Sequence, residues 1–167
     1  WFGTQDGLCN YDGKTFIHFN QEQGLSDNII SALLEDKYGY LWIGTSRGGV
    51  NMYDGKTIRY FTENEGLVDN RVRTILEDRQ GNLWFGTQFA GLGKFDGRKF
   101  TNFLDFPVSS EFDIWSLEQD SNGHLWLGTA GGGIIRYDGK SFIQYSTDEG
   151  FSADRVWSIT EGEDGRI

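Results

Sequence analysis

The sequence predicts an all-β fold, a β-propeller built from four-stranded antiparallel blades, and three observations carry that prediction. A W-[FIL]-G-T motif recurs at Trp1, Trp42, Trp84 and Trp126, at intervals of 41 or 42 residues. An aromatic-Asp-Gly-basic group follows each at a fixed offset: "YDGK" at Tyr11 and Tyr53, "FDGR" at Phe95, "YDGK" at Tyr137. Short runs with period-2 patterning fill the intervals, and none shows a helical period. A period near 42 residues with four strands per unit is the signature of a propeller. Aromatics at 16%, 24 glycines and one proline suit short strands joined by tight turns better than a helical bundle.

Within a unit the strands can be ordered by their polarity. In the second, "LWIGT", "GVNMYD" and "TIRYF" are followed by "NRVRTILED", which opens the next blade. The most apolar segments (30–34, 72–76, 114–117 and 156–159) are placed innermost, where blades converge. The polar–aromatic "TIRYF", "KFTNF" and "SFIQY" runs are placed at the outer edge, where charge discourages edge pairing. Asp54-Gly55 reads as a two-residue type I′ hairpin turn, and Gly81-Asn82 as a second turn. The repeats run 1–41, 42–83, 84–125 and 126–167. In that register "WFGT" has no inner strand before it, and 154–161 is an inner strand with no blade of its own. Segment 154–161 is therefore expected to complete the blade begun at 1–19, or that of a partner chain.

The residues resemble the two-component regulator propeller repeat. The resemblance rests on "GLSDNIISALLEDKYGYLWIGT" (24–45), "GLVDNRVRTILEDRQGNLWFGT" (66–87) and "GFSADRVWSITEGEDGRI" (150–167). The G-[LF]-x-x-[ND], E-D-x-x-G-x-L-W and aromatic-D-G elements keep their order throughout. The third unit departs, with "LDFPVSSEFDIW" where the others carry the glycine turn. The resemblance implies a periplasmic or extracellular sensor region of a bacterial hybrid histidine kinase, of a kind that often responds to oligosaccharides. A kinase module is implied as a partner only if the chain is a fragment of a longer sensor; further propeller blades or a homodimer are the other expected associations. A structural module building a larger ring by strand exchange is one alternative function, and a lyase or hydrolase of the streptogramin-lyase type is another.

The net charge of −10 argues against nucleic acid or an anionic membrane as partner, and a polyanionic ligand would need a local basic pocket. No apolar run approaches the ~18 residues of a membrane-spanning helix. His18 and His124 are expected far apart, so no catalytic pair, metal site or cofactor is expected and the chain is read as a non-enzyme. "DGK" lacks the alternating carboxylates of a calcium loop. Cys9, the one cysteine, is expected to be structural and to have no histidine beside it.

Two loop classes should meet on one face, which makes that face the place for a site. One contains Asp27-Asn28, Asp69-Asn70-Arg71, Glu111-Phe112-Asp113 and Asp154-Arg155. The other contains Gln5-Asp6, Ser46-Arg47, Gln88-Phe89 and Ala130-Gly131. Residues that repeat there, Asp27, Asp69 and Asp154, are expected to cap turns. Residues that vary are better ligand candidates. The column Ser31, Arg73, Trp115, Trp157 opens the inner strands, where two indoles and a guanidinium could stack on a sugar ring and bond its hydroxyls, or could pack between blades. Arg73, Trp115 and Trp157, with Arg47, Phe89, Arg71 and Arg155, are the candidate contacts for an oligosaccharide or other small polar ligand. Trp42, Trp84, Trp126 and Trp1 are assigned to the core.

Overall fold

The computed structural model describes residues 1–104 and 113–167. Glu111 and Phe112, named above among the loop residues, lie outside the described residues. The described residues fold into four successive antiparallel sheets, each inner strand coming from the end of the preceding repeat. The first has three strands, β1 (Phe2–Thr4), β2 (Gly7–Tyr11) and β3 (Phe16–Phe19). The second runs β4 (Ile30–Glu35), β5 (Leu41–Thr45), β6 (Val50–Tyr53), β7 (Ile58–Phe61). The third follows as β8 (Val72–Glu77), β9 (Leu83–Thr87), β10 (Leu92–Phe95) and β11 (Phe100–Phe103). The fourth is β12 (Ile114–Gln119), β13 (Leu125–Thr129), β14 (Ile134–Tyr137) and β15 (Phe142–Tyr145). The apolar segments are innermost as their composition predicts, with β4, β8 and β12 side by side.

The W-x-G-T motif is explained by contact between blades. A Cβ on Gly44 would lie 2.9 Å from Val72 Cγ1, and on Gly86 2.7 Å from Ile114 Cγ2. Gly3 stands in the same relation to Ile30 of the following blade, at 2.7 Å. Each glycine is thus a notch that admits the first branched side chain of the next inner strand. Val156 occupies the fourth notch: a Cβ on Gly128 would come within 3.0 Å of its Cγ1. Segment 154–161 therefore lies against the fourth sheet as β8 lies against the second. Arg155 makes one bridge to Ala130, and the Val156 N–H donates to the Thr129 carbonyl. Beyond Arg155 the segment has no ladder partner among the described residues, and β1 pairs with β2 alone.

The E-D-x-x-G-x-L-W turn is built around its carboxylates. Asp78 Oδ1 accepts the N–H groups of Gln80 and Asn82, while Oδ2 accepts the Trp84 indole N–H at 2.8 Å. Asp36 and Asp120 do the same for Trp42 and Trp126, at 2.8 and 2.9 Å. The preceding glutamate or glutamine ties blades together: Glu77 accepts from Lys37 N–H and Gln119 from Arg79 N–H of the preceding sheets. Glu161 accepts from Ser121 N–H, so the final segment keeps this contact too. Gly162 stands where the other units have aspartate.

Burial alone would push the Asp78 and Asp120 carboxyls up, but the bonds from Asn82, Trp84, His124 and Trp126 outweigh it and hold both below the usual 3.8. A lowered folded-state value stabilises the fold above the unfolded value and is lost as pH falls through the folded one. Urea midpoints measured across pH should thus hold steady above about 4 and fall steeply below it. A midpoint that stays flat as both aspartates protonate would contradict this assignment.

Two sequence expectations need correction here. The Asp-Gly turn is not type I′, because no non-glycine residue has positive φ among the described residues. Tyr53 pairs with Ile58 across a four-residue loop in which Asp54 Oδ1 accepts the N–H groups of Lys56 and Thr57. Asp12, Asp96 and Asp138 repeat this arrangement, so aspartate serves as a side-chain acceptor and only glycine takes the left-handed conformation. Trp1 departs from its equivalents as well. Trp42 and Trp84 are buried, but Trp1 is 40% exposed, resting on Phe19 and Tyr53 beside the unpaired edge of β1.

Candidate functional site

The two loop classes do meet on one face. Ser46 N–H donates to the Ile29 carbonyl, Gln88 to Arg71 and Ala130 to Asp113. Gly49 and Gly133 reach the loop before the next inner segment, donating to the carbonyls of Asn70 and Asp154. Repeated polar residues here shape turns. Asp27 Oδ1 accepts from Ile29 N–H and Asp69 Oδ1 from Arg71 N–H. Asn28, Asn70 and Asp154 each accept an N–H from the short 3-10 turn seven residues earlier.

The variable column has a geometric origin. Register slips by one residue between Ile30 and Ala32, Val72 and Thr74, and Ile114 and Ser116. Ser31, Arg73 and Trp115 are the extra residues of these three bulges. A bulge frees its residue from the ladder and re-aims its side chain, and here each of the three side chains reaches the next inner segment. The Ser31 hydroxyl donates to the Val72 carbonyl at 2.5 Å. Arg73 pairs with Asp113 Oδ2 at 3.3 Å, and the Trp115 indole N–H reaches the same oxygen at 3.4 Å. Trp157 follows Val156 in the equivalent place and stacks on Trp115, with centroids 4.1 Å apart and planes 19° apart. Trp157 is 73% exposed, so this stack presents an open aromatic face beside a guanidinium.

Arg47, Arg71 and Phe89 form a second group. The Arg71 guanidinium lies 4.8 Å from the Phe89 ring centroid and its Nε bonds Asp69 Oδ1 at 3.0 Å. Arg47 and Arg71 line one cleft of about 450 Å³, with Glu63, Asp69 and Asn70. Arg155 joins neither group and is exposed next to Ala130. Sequence reasoning overlooked Asp113 as the hinge of the first group. The available signal was the column Ile29, Arg71, Asp113, Arg155, in which one carboxylate stands between two arginines.

Two features lie elsewhere. Between the second and third blades a crevice of about 380 Å³ opens beside Tyr38, Trp42, Met52 and Phe61. Its counterpart between the third and fourth blades has about 170 Å³, with Lys94 laid over the Trp84 ring where Met52 stands. The crevice is thus a recurring gap between blades whose width follows that one side chain. The expectation that Cys9 lacks a histidine neighbour is wrong: the β2–β3 register sets Cys9 opposite His18, and Sγ lies 3.0 Å from Nδ1. The two histidines remain apart, with His124 bonded to Asp120. Among the described residues no cluster of three or more His, Cys, Asp or Glu side chains could hold a metal ion.

Solved structures place this geometry among known propellers. The extracellular domain of a protein assigned to the hybrid two-component systems of B. thetaiotaomicron, BT3049, superposes with a TM-score of 0.84 at 26% identity. The match covers 99% of this chain and 24% of that one. A second such domain from that organism, BT4673, gives 0.83 at 22% identity over 99% and 24% of the two chains. The chain thus spans about a quarter of the length of these domains. Virginiamycin B lyase from Staphylococcus aureus gives 0.60 at 16% identity, covering 78% of this chain and 44% of the lyase, a likeness of fold alone. No curated protein matches the chain by sequence. The two-component regulator propeller family matches residues 24–47, 66–89 and 108–131, and these three repeats of the chain belong to it.

Proposed function

We propose that the chain is a non-catalytic, ligand-recognising part of a sensor propeller, exposed on the outer side of the bacterial envelope. Its ligand is a carbohydrate or other polar small molecule. The observation that carries this reading is the exposed Trp115–Trp157 stack beside the Arg73–Asp113 pair. An open indole face takes the apolar face of a sugar ring, and the guanidinium and carboxylate supply a donor and an acceptor for hydroxyls. The extracellular setting of the similar domains supports the location. Segment 154–161 has the inner-strand contacts of a further blade, and β1–β3 or an equivalent sheet would complete it.

Calorimetry against a panel of neutral oligosaccharides tests the reading. Trp157→Ala should weaken binding roughly tenfold while leaving the urea midpoint near that of the parent, since Trp157 is mostly exposed. Binding that is indifferent to both Trp157→Ala and Trp115→Ala would remove this surface from consideration.

A further inference from the structure

Arg47 follows β5 of the second blade and Arg71 precedes β8 of the third, yet they line one cleft. Arg47 is exposed and its guanidinium has no hydrogen-bond or ion-pair partner among the described residues. In a chain with net charge −10, a free guanidinium beside a second one is an uncommon local environment. Each of the two carboxylates in the cleft is engaged through one oxygen, and Asp69 Oδ2 is buried without a partner. Asp69 is 3% exposed, and its Oδ1 accepts both the N–H and Nε–H of Arg71. Glu63 Oε1 accepts the Asn70 N–H. Asp69 thus braces Arg71 through Nε, and Phe89 covers one face of its guanidinium, leaving the terminal nitrogens without hydrogen-bond partners among the described residues.

We infer that this cleft is an oxyanion-binding subsite, with Arg47 and Arg71 together gripping a carboxylate or sulfate group carried by an acidic saccharide. Guanidinium nitrogens in a planar fork match an oxyanion better than a lone hydroxyl, and two of them from separate loops define its position. The inference rests on the proposed recognition role and refines it. It places the charged part of the ligand between the second and third blades, on residues other than Trp115 and Trp157.

The test is calorimetric, with trigalacturonate, a sulfated trisaccharide and neutral maltotriose as probes, each at low and high salt. The two acidic probes should bind, and should weaken as salt rises. Arg47→Gln should cost them about tenfold, Arg47→Lys less, and maltotriose should be indifferent to both. Arg47 makes no contact that the fold depends on, so these variants remain folded; Arg71→Gln, which leaves buried Asp69 without its cation, is the secondary variant. Preference for one acidic probe identifies the oxyanion as carboxylate or sulfate. Acidic probes that bind no better than maltotriose, or that bind equally well to Arg47→Gln, overturn the subsite. The two proposals fail separately. Binding lost in Trp157→Ala but not in Arg47→Gln defeats only the oxyanion subsite. Acidic binding lost in Arg47→Gln but not in Trp157→Ala defeats only the aromatic surface.

Discussion

Gly49→Ala is expected to destabilise the protein by about 2–5 kcal/mol, the sum of a backbone and a packing cost. Gly49 has φ +77, a conformation that costs an L-residue about 1–2 kcal/mol. A Cβ there would also meet the Phe61 carbonyl oxygen, part of a backbone that cannot swing aside. Its N–H reaches the Asn70 carbonyl at 2.8 Å, so shifting Gly49 would also disturb the junction with the third blade. Gly55 is the control. It has φ +89 with nothing within 4 Å of its added Cβ, so Gly55→Ala should cost only the backbone part. Equal urea midpoints for the two variants would show that the close approach at Gly49 has no energetic consequence.

Asp78→Ala should be nearly as damaging, by about 3 kcal/mol, because it strips several donors of their acceptor at once. The Trp84 indole N–H, 5% exposed as a residue, is buried, and the Gln80 and Asn82 N–H groups close the turn that aims Trp84 inward. Trp84→Phe keeps most of the ring and removes one donor. Combining the two substitutions should then cost less than their sum, by about 1 kcal/mol or more. Strict additivity in that double-mutant cycle would mean that the indole–carboxylate bond does not couple the turn to the core. Asp54→Ala, at an exposed turn with a similar local pattern, should leave the midpoint far closer to the parent.

These two residues also show what the sequence could and could not reveal. The Asp and Trp of E-D-x-x-G-x-L-W keep their spacing in three units, and spacing alone marks them as one device. That the device is a carboxylate accepting an indole N–H is a matter of three-dimensional reach across six residues, which no pattern states. The glycine of W-x-G-T was legible as a repeat, but its role depends on a side chain of the following blade. Turn type was misjudged at Asp54 because Asp-Gly suits several turns, and only the register of Tyr53 with Ile58 distinguishes them. Within the candidate site, Trp115 and Trp157, which variation between units singles out, stack on one another, and Arg73 shares Asp113 with Trp115. Asp113 escaped because its importance lies in bridging two of them. The Cys9–His18 contact escaped for a similar reason, being set by the pairing of two strands.

The bulges at Ser31, Arg73 and Trp115 have a consequence for recognition. Each gives its blade a position that takes no part in the ladder and does not enter the glycine notch. Each instead reaches the next inner segment, Ser31 to the Val72 carbonyl, Arg73 to Asp113 and Trp115 to Trp157, so exchanging a hydroxyl, a cation or an indole here leaves the ladder alone and alters a contact between blades. Any recognition built at these positions is therefore coupled to how neighbouring blades grip one another.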